Sequence, residues 1–248
     1  MPEGDVHDRL EDLRASPRPL VARFDGGQAF AGRVAILPSA FNPPTAAHFR
    51  LLALAASLRG IEATAALLTT ANVDKGLYGA PLAHRVGMLL AGAAGEPARP
   101  AVLATNRPRF VDQAAALRTA FPGAGFDFIA GHDTLVRIFD RKYYEDMPGE
   151  LGAFFANHRL IATNRGLSGI DEVVATLRWP EAQAFADRIV VLEIDAVAAA
   201  MSSSAARAAT AAGTQSEAIP DAVRDYINEH GLYREHAEPT ASGLFPGD

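Results

Sequence analysis

The sequence has 248 residues, 49% of them hydrophobic and 21% charged, which is the composition of a soluble globular protein with a sizeable core. Its formal net charge of -6 disfavours a broad nucleic-acid-binding surface, and the absence of cysteine excludes disulfides, thiolate zinc sites and a cysteine nucleophile. There is neither an apolar leader nor an apolar run of about 18 residues, so we expect a cytoplasmic protein that does not bind membranes.

Three regions are predicted along the chain. Residues 1–30 form a helical or irregular extension packed on the main domain, residues 31–236 form that domain, and residues 237–248 form a disordered tail rich in Pro, Gly and small polar residues. Within the main domain, strands and helices alternate. The predicted strands are 33–37, 61–69, 101–104, 126–130, 159–163 and 188–194, and the predicted helices are 45–59, 81–94, 110–120, 132–139, 170–177, 202–212 and 220–231.

This alternation predicts an α/β fold with a doubly wound, mainly parallel sheet and helices on both of its faces. The apolar runs 126–130 and 188–192 are typical of strands that are buried on both faces, as in such a sheet. Ligands of doubly wound sheets bind beyond the carboxyl ends of the strands. The residues that follow each predicted strand are therefore the candidate site.

The first polar cluster follows strand 33–37, where Ser39-Ala40-Phe41-Asn42-Pro43-Pro44 leads to a helix that begins at Thr45. A helix N-terminus carries free backbone N–H groups and the positive end of the helix dipole, which together attract anions. His48 lies three residues further on and projects from the same face as Thr45. The alternative is that Thr45 only caps a helix and that His48 is an ordinary packed or surface histidine.

Three more clusters follow other strands of the predicted sheet. Ser202-Ser203-Ser204 opens a late helix, and Arg207 lies one turn further on, so hydroxyls and a guanidinium could bind phosphates together. Asp133 directly follows strand 126–130, where a carboxylate could accept hydrogen bonds from ribose hydroxyls or help to hold a metal. Lys75 follows strand 61–69 and could bring a mobile positive charge to a triphosphate. Each has an ordinary alternative: a serine helix cap, an aspartate helix cap and a solvated lysine.

The four clusters together indicate a phosphate-binding edge on an otherwise acidic protein. The sequence has no G-x-x-x-x-G-K-[ST] loop, no dinucleotide G-x-G-x-x-G after a strand, no G-x-S-x-G elbow and no H-E-x-x-H, which excludes several large enzyme classes. Transfer of a nucleotidyl group to a phosphate needs little acid–base catalysis, because the acceptor is already an anion. It needs alignment and charge neutralisation, which His, Lys, Arg, helix N-termini and Mg²⁺ supply.

These residues resemble the nucleotidyltransferases that carry [HT]-x-x-H after the first strand and an I-S-S-T-x-I-R motif near the C-terminus. The likeness is greatest to nicotinamide or nicotinate mononucleotide adenylyltransferases of the eukaryotic-type branch, whose G-S-F-N-P-x-T-x-x-H motif is similar to residues 39–48 here. It continues through Lys75-Gly76-Leu77, His84-Arg85-Val86 and Gly131-His132-Asp133, and through an ending over 220–233 like V-P-D-x-V-x-x-Y-I-x-x-H-x-L-Y. Roughly residues 33–234 are covered, in the family's order.

The resemblance implies a Rossmann-like fold and an enzyme that joins ATP to nicotinamide or nicotinate mononucleotide, releases pyrophosphate and forms NAD or its deamido form. It implies catalytic roles for His48, Arg207 and Lys75 and a Mg²⁺ ion that bridges the phosphates, with no metal-ligating residue assigned. The implied ATP-binding residues are Ser39, Ala40, Phe41, Thr45, His48, Asp133, Ser203, Ser204 and Arg207. The implied residues for the acceptor are Asn42, Lys75 and Phe110, the last in place of a family tryptophan that stacks on the pyridine ring.

Two alternatives to this function stay open on the sequence. A cytidylyltransferase, or an adenylyltransferase for another phosphate ester, would use the same fold with a different acceptor. A nucleotide-binding regulator without turnover is suggested by Pro38 and Ser39, which stand where the family has glycine. The expected partners are ATP and a phosphorylated small molecule, not nucleic acid or membrane, and the sequence leaves a homo-oligomer open.

Overall fold

The computed structural model describes residues 3–71, 79–164 and 169–234. Within these residues the strands form one sheet of seven in the order β1-β4-β3-β2-β5-β6-β7, and all neighbours are parallel except β1 and β4. The strands are β1 Val21–Arg23, β2 Arg33–Ser39, β3 Ala63–Thr69, β4 Ala101–Thr105, β5 Gly125–Gly131, β6 Arg159–Thr163 and β7 Ile189–Leu192. The predicted doubly wound α/β fold is confirmed.

Helices cover both faces of this sheet. They are α1 Glu3–Ala15, α2 Ala46–Ala56, α3 Leu82–Gly95, α4 Phe110–Ala120, α5 His132–Ile138, α6 Met147–Asn157, α7 Ile170–Leu177, α8 Pro180–Gln183, α9 Ala196–Ala200, α10 Ser203–Ala211 and α11 Asp221–Glu229. One hydrophobic cluster contains residues of α1, α2, α3, α9, α10 and α11, and a second contains residues of α4 to α8. Alternate residues of β2 enter the two clusters, Ala35 and Leu37 on one side and Val34 and Ile36 on the other.

The direction of winding reverses at β2, which lies between β3 and β5. The pairing of β2 with β3 continues to Ser39, whereas its pairing with β5 ends at Ile36. The carboxyl end of β2 is therefore open on the β5 side, which is the crevice where ligands of doubly wound sheets bind. Pro38 lies beyond the last pair with β5, so its missing N–H interrupts no hydrogen bond in that register.

The structure corrects the predicted burial of the run 188–192. Strand β7 is the outer strand of the sheet, its residues are only half-buried, and Val191 is 41% exposed. An apolar run at a sheet edge can pack one face on the core while the other meets solvent, which periodicity alone does not distinguish.

Several elements of the structure are absent from the predicted series. Residues 1–30 contribute α1, whose Val6, Leu10 and Leu13 enter the core, and also the edge strand β1, which pairs antiparallel with β4. Helix α6 has clear signals: Asp146 caps its N-terminus through a hydrogen bond from the Gly149 N–H, 3.1 Å, and a proline follows at the first turn. Helices α8 and α9, of four and five residues, are too short to produce a periodic pattern. Among the described helices, none is long and apolar enough to span a bilayer.

Candidate active site

The segment after β2 forms a buried turn at the open end of that strand. Phe41 is 1% exposed and has a φ of 43°, in the left-handed region that a non-glycine residue rarely adopts. Thr45 has the extended backbone of a helix N-cap, as predicted. The N–H groups of Thr45 and Ala46 are not free, however, because they donate to His48 Nδ1 at 2.9 Å and to the Ala218 carbonyl at 2.8 Å. The dipole end of α2 faces the crevice, but these two donors already have partners.

His48 is buried, and its ring orientation follows from its hydrogen bonds. The Thr45 N–H donates to Nδ1, so in the neutral ring the proton lies on Nε2. Nε2 lies 3.3 Å from Ser39 Oγ at the end of β2, and the Phe41 ring packs 5.0 Å from the imidazole centroid. The imidazole N–H is therefore directed at Ser39, which itself lines the crevice.

The N-terminus of α10 packs directly on this turn, as the predicted convergence requires. Ser203 Oγ donates to the Pro43 carbonyl at 2.8 Å, and the Arg207 guanidinium donates to the Asn42 carbonyl through Nη1 and to Ser204 Oγ through Nη2 at 3.1 Å. Ser202 caps the helix by accepting from the Ala205 N–H at 3.1 Å. The two predicted phosphate segments, about 160 residues apart in sequence, thus form one surface.

Asn42 lies inside this assembly. Its side chain is 4% exposed, and its Oδ1 accepts hydrogen bonds from the Ala80 N–H at 3.1 Å and from Tyr233 Oη at 2.7 Å. Burial raises the pKa of the Tyr233 hydroxyl, which therefore remains a donor. Asn42, predicted to bind substrate, links the turn after β2 to the segments that precede α3 and follow α11.

Arg85 supports the same turn. Its side chain is 2% exposed, and it donates to the Ala80 carbonyl at 2.8 Å and to the Ala40 carbonyl at 3.2 Å. Arg85 belongs to the sequence motif His84-Arg85-Val86, but only the structure shows that its side chain holds the turn after β2 in place.

A cavity of about 320 Å³ adjoins the turn at the carboxyl ends of β2, β3 and β4. It is lined by Pro38, Ser39, Ala40, Thr69, Pro108, Arg109, Phe110, Gln113, Thr134, Arg137, Ile138, Tyr143 and Tyr144. Ser39, Ala40 and Phe110 were predicted from the sequence. Ser39 belongs to both parts of the site, since it lines the cavity and also approaches His48.

Arg109, which the sequence interpretation missed, is a cation of the cavity wall with several polar partners. Its Nε and Nη2 donate to the two oxygens of Asp112 at 2.8 and 3.1 Å, and its Nη1 lies 2.9 Å from the Tyr143 carbonyl and 3.0 Å from Glu150 Oε2. The hydrogen bond to Asp112, with added attraction from Glu150, raises the pKa of the guanidinium. Arg109 follows the predicted strand 101–104, so the rule that placed the other polar clusters after strands also indicates this residue.

Tyr144 closes the same wall. Its hydroxyl donates to the Ile138 carbonyl at 2.7 Å, and burial raises its pKa to about 12. The cavity thus combines two tyrosines, Phe110 and a paired arginine, which is the mixture of aromatic surface and few polar groups typical of small-molecule sites.

The remaining predicted residues lie elsewhere. Asp133 is in the first turn of α5 and exposed, at the carboxyl end of β5 as predicted but outside the cavity wall. Lys75 falls outside the described residues, as does the predicted tail 237–248. No group of three or more His, Cys, Asp or Glu side chains that could hold a metal occurs in the ranges 3–71, 79–164 and 169–234.

Comparisons with known proteins give one sequence relative and several structural neighbours. No protein-family model matches the chain. The chain is 26% identical over 163 residues, 64% of its length, to a Schizosaccharomyces pombe protein named provisionally as a nicotinamide mononucleotide adenylyltransferase, and the match spans 59% of that relative. It is also similar to structures of a Plasmodium falciparum nicotinic acid mononucleotide adenylyltransferase. The complex with NaAD gives a TM-score of 0.63 at 20% identity and the complex with APC gives 0.60 at 18%, each match covering 82% of this chain and 97% of the other. The predicted similarity to mononucleotide adenylyltransferases and the Rossmann-like fold are confirmed, while the motifs and the eukaryotic-type branch stay predictions.

Proposed function

We propose that this chain is an adenylyltransferase that joins ATP to nicotinamide or nicotinate mononucleotide, in NAD biosynthesis. The observation that carries the proposal is the contact of Ser203 and Arg207 with the Asn42-Pro43 turn beside His48. This contact places a guanidinium, an imidazole and the N-terminus of α10 at one point of the sheet edge. The names of the curated relative and of the structural neighbours support the same activity.

The proposed reaction is the attack of an oxygen of the acceptor's phosphate on the α-phosphorus of ATP. A new P–O bond forms to the acceptor, the bond from the α-phosphorus to the bridging oxygen breaks, and that oxygen leaves with pyrophosphate. The nucleophile is already an anion, so no residue has to remove a proton from it. His48 Nε2–H, Arg207 and the α10 N-terminus stabilise the charge on the triphosphate, and Ser203 and Ser204 add hydroxyl donors.

The cavity beside the turn is assigned to the acceptor. Its volume of about 320 Å³ accommodates a pyridine ring and part of the ribose, and Phe110 and Tyr143 provide aromatic surface for the ring. Asp133, exposed after β5, is assigned to the ATP ribose, and Lys75 to the substrate phosphates. A cytoplasmic location stays a prediction.

Mg²⁺ is proposed as the metal of the reaction. Mg²⁺ commonly enters a site on substrate phosphates with only one or two protein ligands, so a cage of carboxylates is not required. Asp133 is the carboxylate nearest in sequence to a strand end of the crevice. When bound, the ion would neutralise phosphate charge that His48 and Arg207 share.

The test is to incubate purified protein and Mg²⁺ with ATP or CTP and a panel of phosphorylated acceptors, scoring pyrophosphate release and identifying the product. We expect a dinucleotide from ATP and a pyridine mononucleotide, and loss of at least about 100-fold in kcat/KM for Arg207→Ala. The control is Arg50→Ala, a 57%-exposed arginine on α2, which should retain activity. Turnover only with CTP or with another phosphate ester would establish the second enzyme class, and ATP binding without any product would establish a regulator.

A further inference from the structure

Arg109 stands in the cavity wall with two carboxylates bound to it. A guanidinium has five N–H donors, and four of these are taken by Asp112, Glu150 and the Tyr143 carbonyl. The three charged side chains are each about one-third exposed or less on the side-chain scale, at 33%, 35% and 26%. Solvent therefore screens them only in part.

The charge of this group is negative overall. One arginine and two carboxylates give this group one net negative charge; Arg137, which also lines the cavity, is not one of its members. A neutral carbonyl oxygen can accept the remaining Nη2–H of Arg109 at little electrostatic cost. A carboxylate at the same place would meet one cation whose charge is already compensated and two anions close behind it.

From this arrangement we infer that the acceptor cavity selects a pyridine that carries a neutral carboxamide over one that carries a carboxylate. The inference rests on the proposed function and assigns its acceptor as nicotinamide mononucleotide, with Asp112 and Glu150 as the residues that determine specificity. The two acceptors share the ribose phosphate and differ only in this substituent, so discrimination depends on the charge beside the ring. One net charge a few ångströms away in a partly screened site corresponds to a preference of about tenfold or more.

Arg137 also lines the cavity, and a cation at this position could instead favour an acceptor with a carboxylate. It is an exposed residue on α5, and its Nε donates to the Asp133 carbonyl at 3.2 Å. If Arg137 received the carboxylate of the acceptor, nicotinate mononucleotide would be preferred. The preference for the carboxylate would then disappear in Arg137→Gln.

The experiment measures both binding and turnover of the two acceptors. Calorimetry with the full chain gives the dissociation constants of nicotinamide and nicotinate mononucleotide, and coupled assays with ATP give kcat and KM. We expect the wild type to favour nicotinamide mononucleotide about tenfold or more in both measurements. Glu150→Gln keeps a hydrogen-bond acceptor for Arg109 but removes one negative charge, so the ratio should fall about tenfold, mainly through a lower KM for nicotinate mononucleotide.

The matched control is Glu229→Gln on α11, which makes the same change in net charge at an exposed position and should leave the ratio unchanged. Equal or tighter binding of nicotinate mononucleotide by the wild type overturns the inference, and so does an unchanged ratio in a folded Glu150→Gln variant. Selective binding of nicotinamide mononucleotide without dinucleotide formation supports the inference while overturning the proposed function. Binding of neither acceptor overturns both.

Discussion

His158 makes the stability of this protein depend on pH in a defined way. Its side chain is 2% exposed and lies among the rings of Phe126, Phe128 and Phe154, whose centroids are 5.3 to 6.2 Å from its own. Among the described residues neither ring nitrogen has a partner at full hydrogen-bond geometry, and the Phe126 backbone nearby offsets only part of the pKa shift. Burial is the main cause that lowers the pKa of the imidazole from 6.5 to about 4, because the charged form would lose its hydration.

The sign and size of the effect follow from this pKa. Since the folded pKa is lower than the unfolded one, the unfolded chain binds the extra proton between pH 6.5 and about 4. The free energy of unfolding should therefore be unaffected by His158 above pH 6.5, fall as the pH is lowered through this window and level off below about pH 4. The full shift corresponds to about 3 kcal/mol.

Urea unfolding at several pH values from 4 to 7.5 measures this contribution. His158→Phe keeps an aromatic ring among the phenylalanines and removes the titrating group, so the difference in stability between wild type and variant should change by about 3 kcal/mol in favour of the variant across the window. His7→Gln, at an exposed position on α1, is the control and should run parallel to the wild type. If His158→Phe also ran parallel to the wild type, the buried neutral imidazole would not be the cause of the acid sensitivity.

Three further predictions concern the site and its support. His48→Ala should lower kcat/KM by about 100- to 1,000-fold, whereas His48→Asn, whose oxygen can accept the Thr45 N–H, should restore thermal stability but not turnover. Asp127→Asn should lower the free energy of unfolding by about 3 kcal/mol in urea titrations, because the buried carboxylate, 1% exposed, pairs with two arginines. An unchanged urea midpoint would show that these ion pairs contribute nothing to stability. Gly79→Ala should reduce both stability and activity, because this residue has a φ of +80° and an added Cβ would lie 2.3 Å from Asn42 Nδ2. Wild-type activity in that variant would show that the turn around Asn42 adapts to the added methyl group.

The sequence predicted the order of elements well where an element is long and bounded by clear signals. The predicted bounds 110–120, 159–163 and 170–177 coincide with α4, β6 and α7. Strand β1, by contrast, has three residues, and its place depends on antiparallel pairing with β4, whose residues lie some eighty positions later. A strand of that length has no periodicity, so only the exposed edge of the sheet selects it.

Some features of the candidate site could likewise be predicted from the sequence, and others depended on the tertiary structure. Motif spacing and strand ends were sufficient to predict that the residues after β2 and those that open α10 would meet, because parallel strands bring their carboxyl ends to one edge. The actual partners of those residues depended on tertiary contacts. The sequence predicts that Asn42 binds the substrate. In the structure its side-chain oxygen accepts hydrogen bonds from Ala80 and from Tyr233, which lies near the end of the described chain.

The proposed recognition of phosphate was thus predictable from the sequence, since it depends on residue type and on position after a strand. The selectivity that we infer for the acceptor depends on the tertiary structure. An arginine such as Arg109 would by itself attract an anionic ligand, and only the packing of α6 against α4 brings Glu150 to it beside Asp112. The electrostatic potential of a site is a sum over neighbours in space, so residues distant in sequence can reverse the sign that any single side chain suggests.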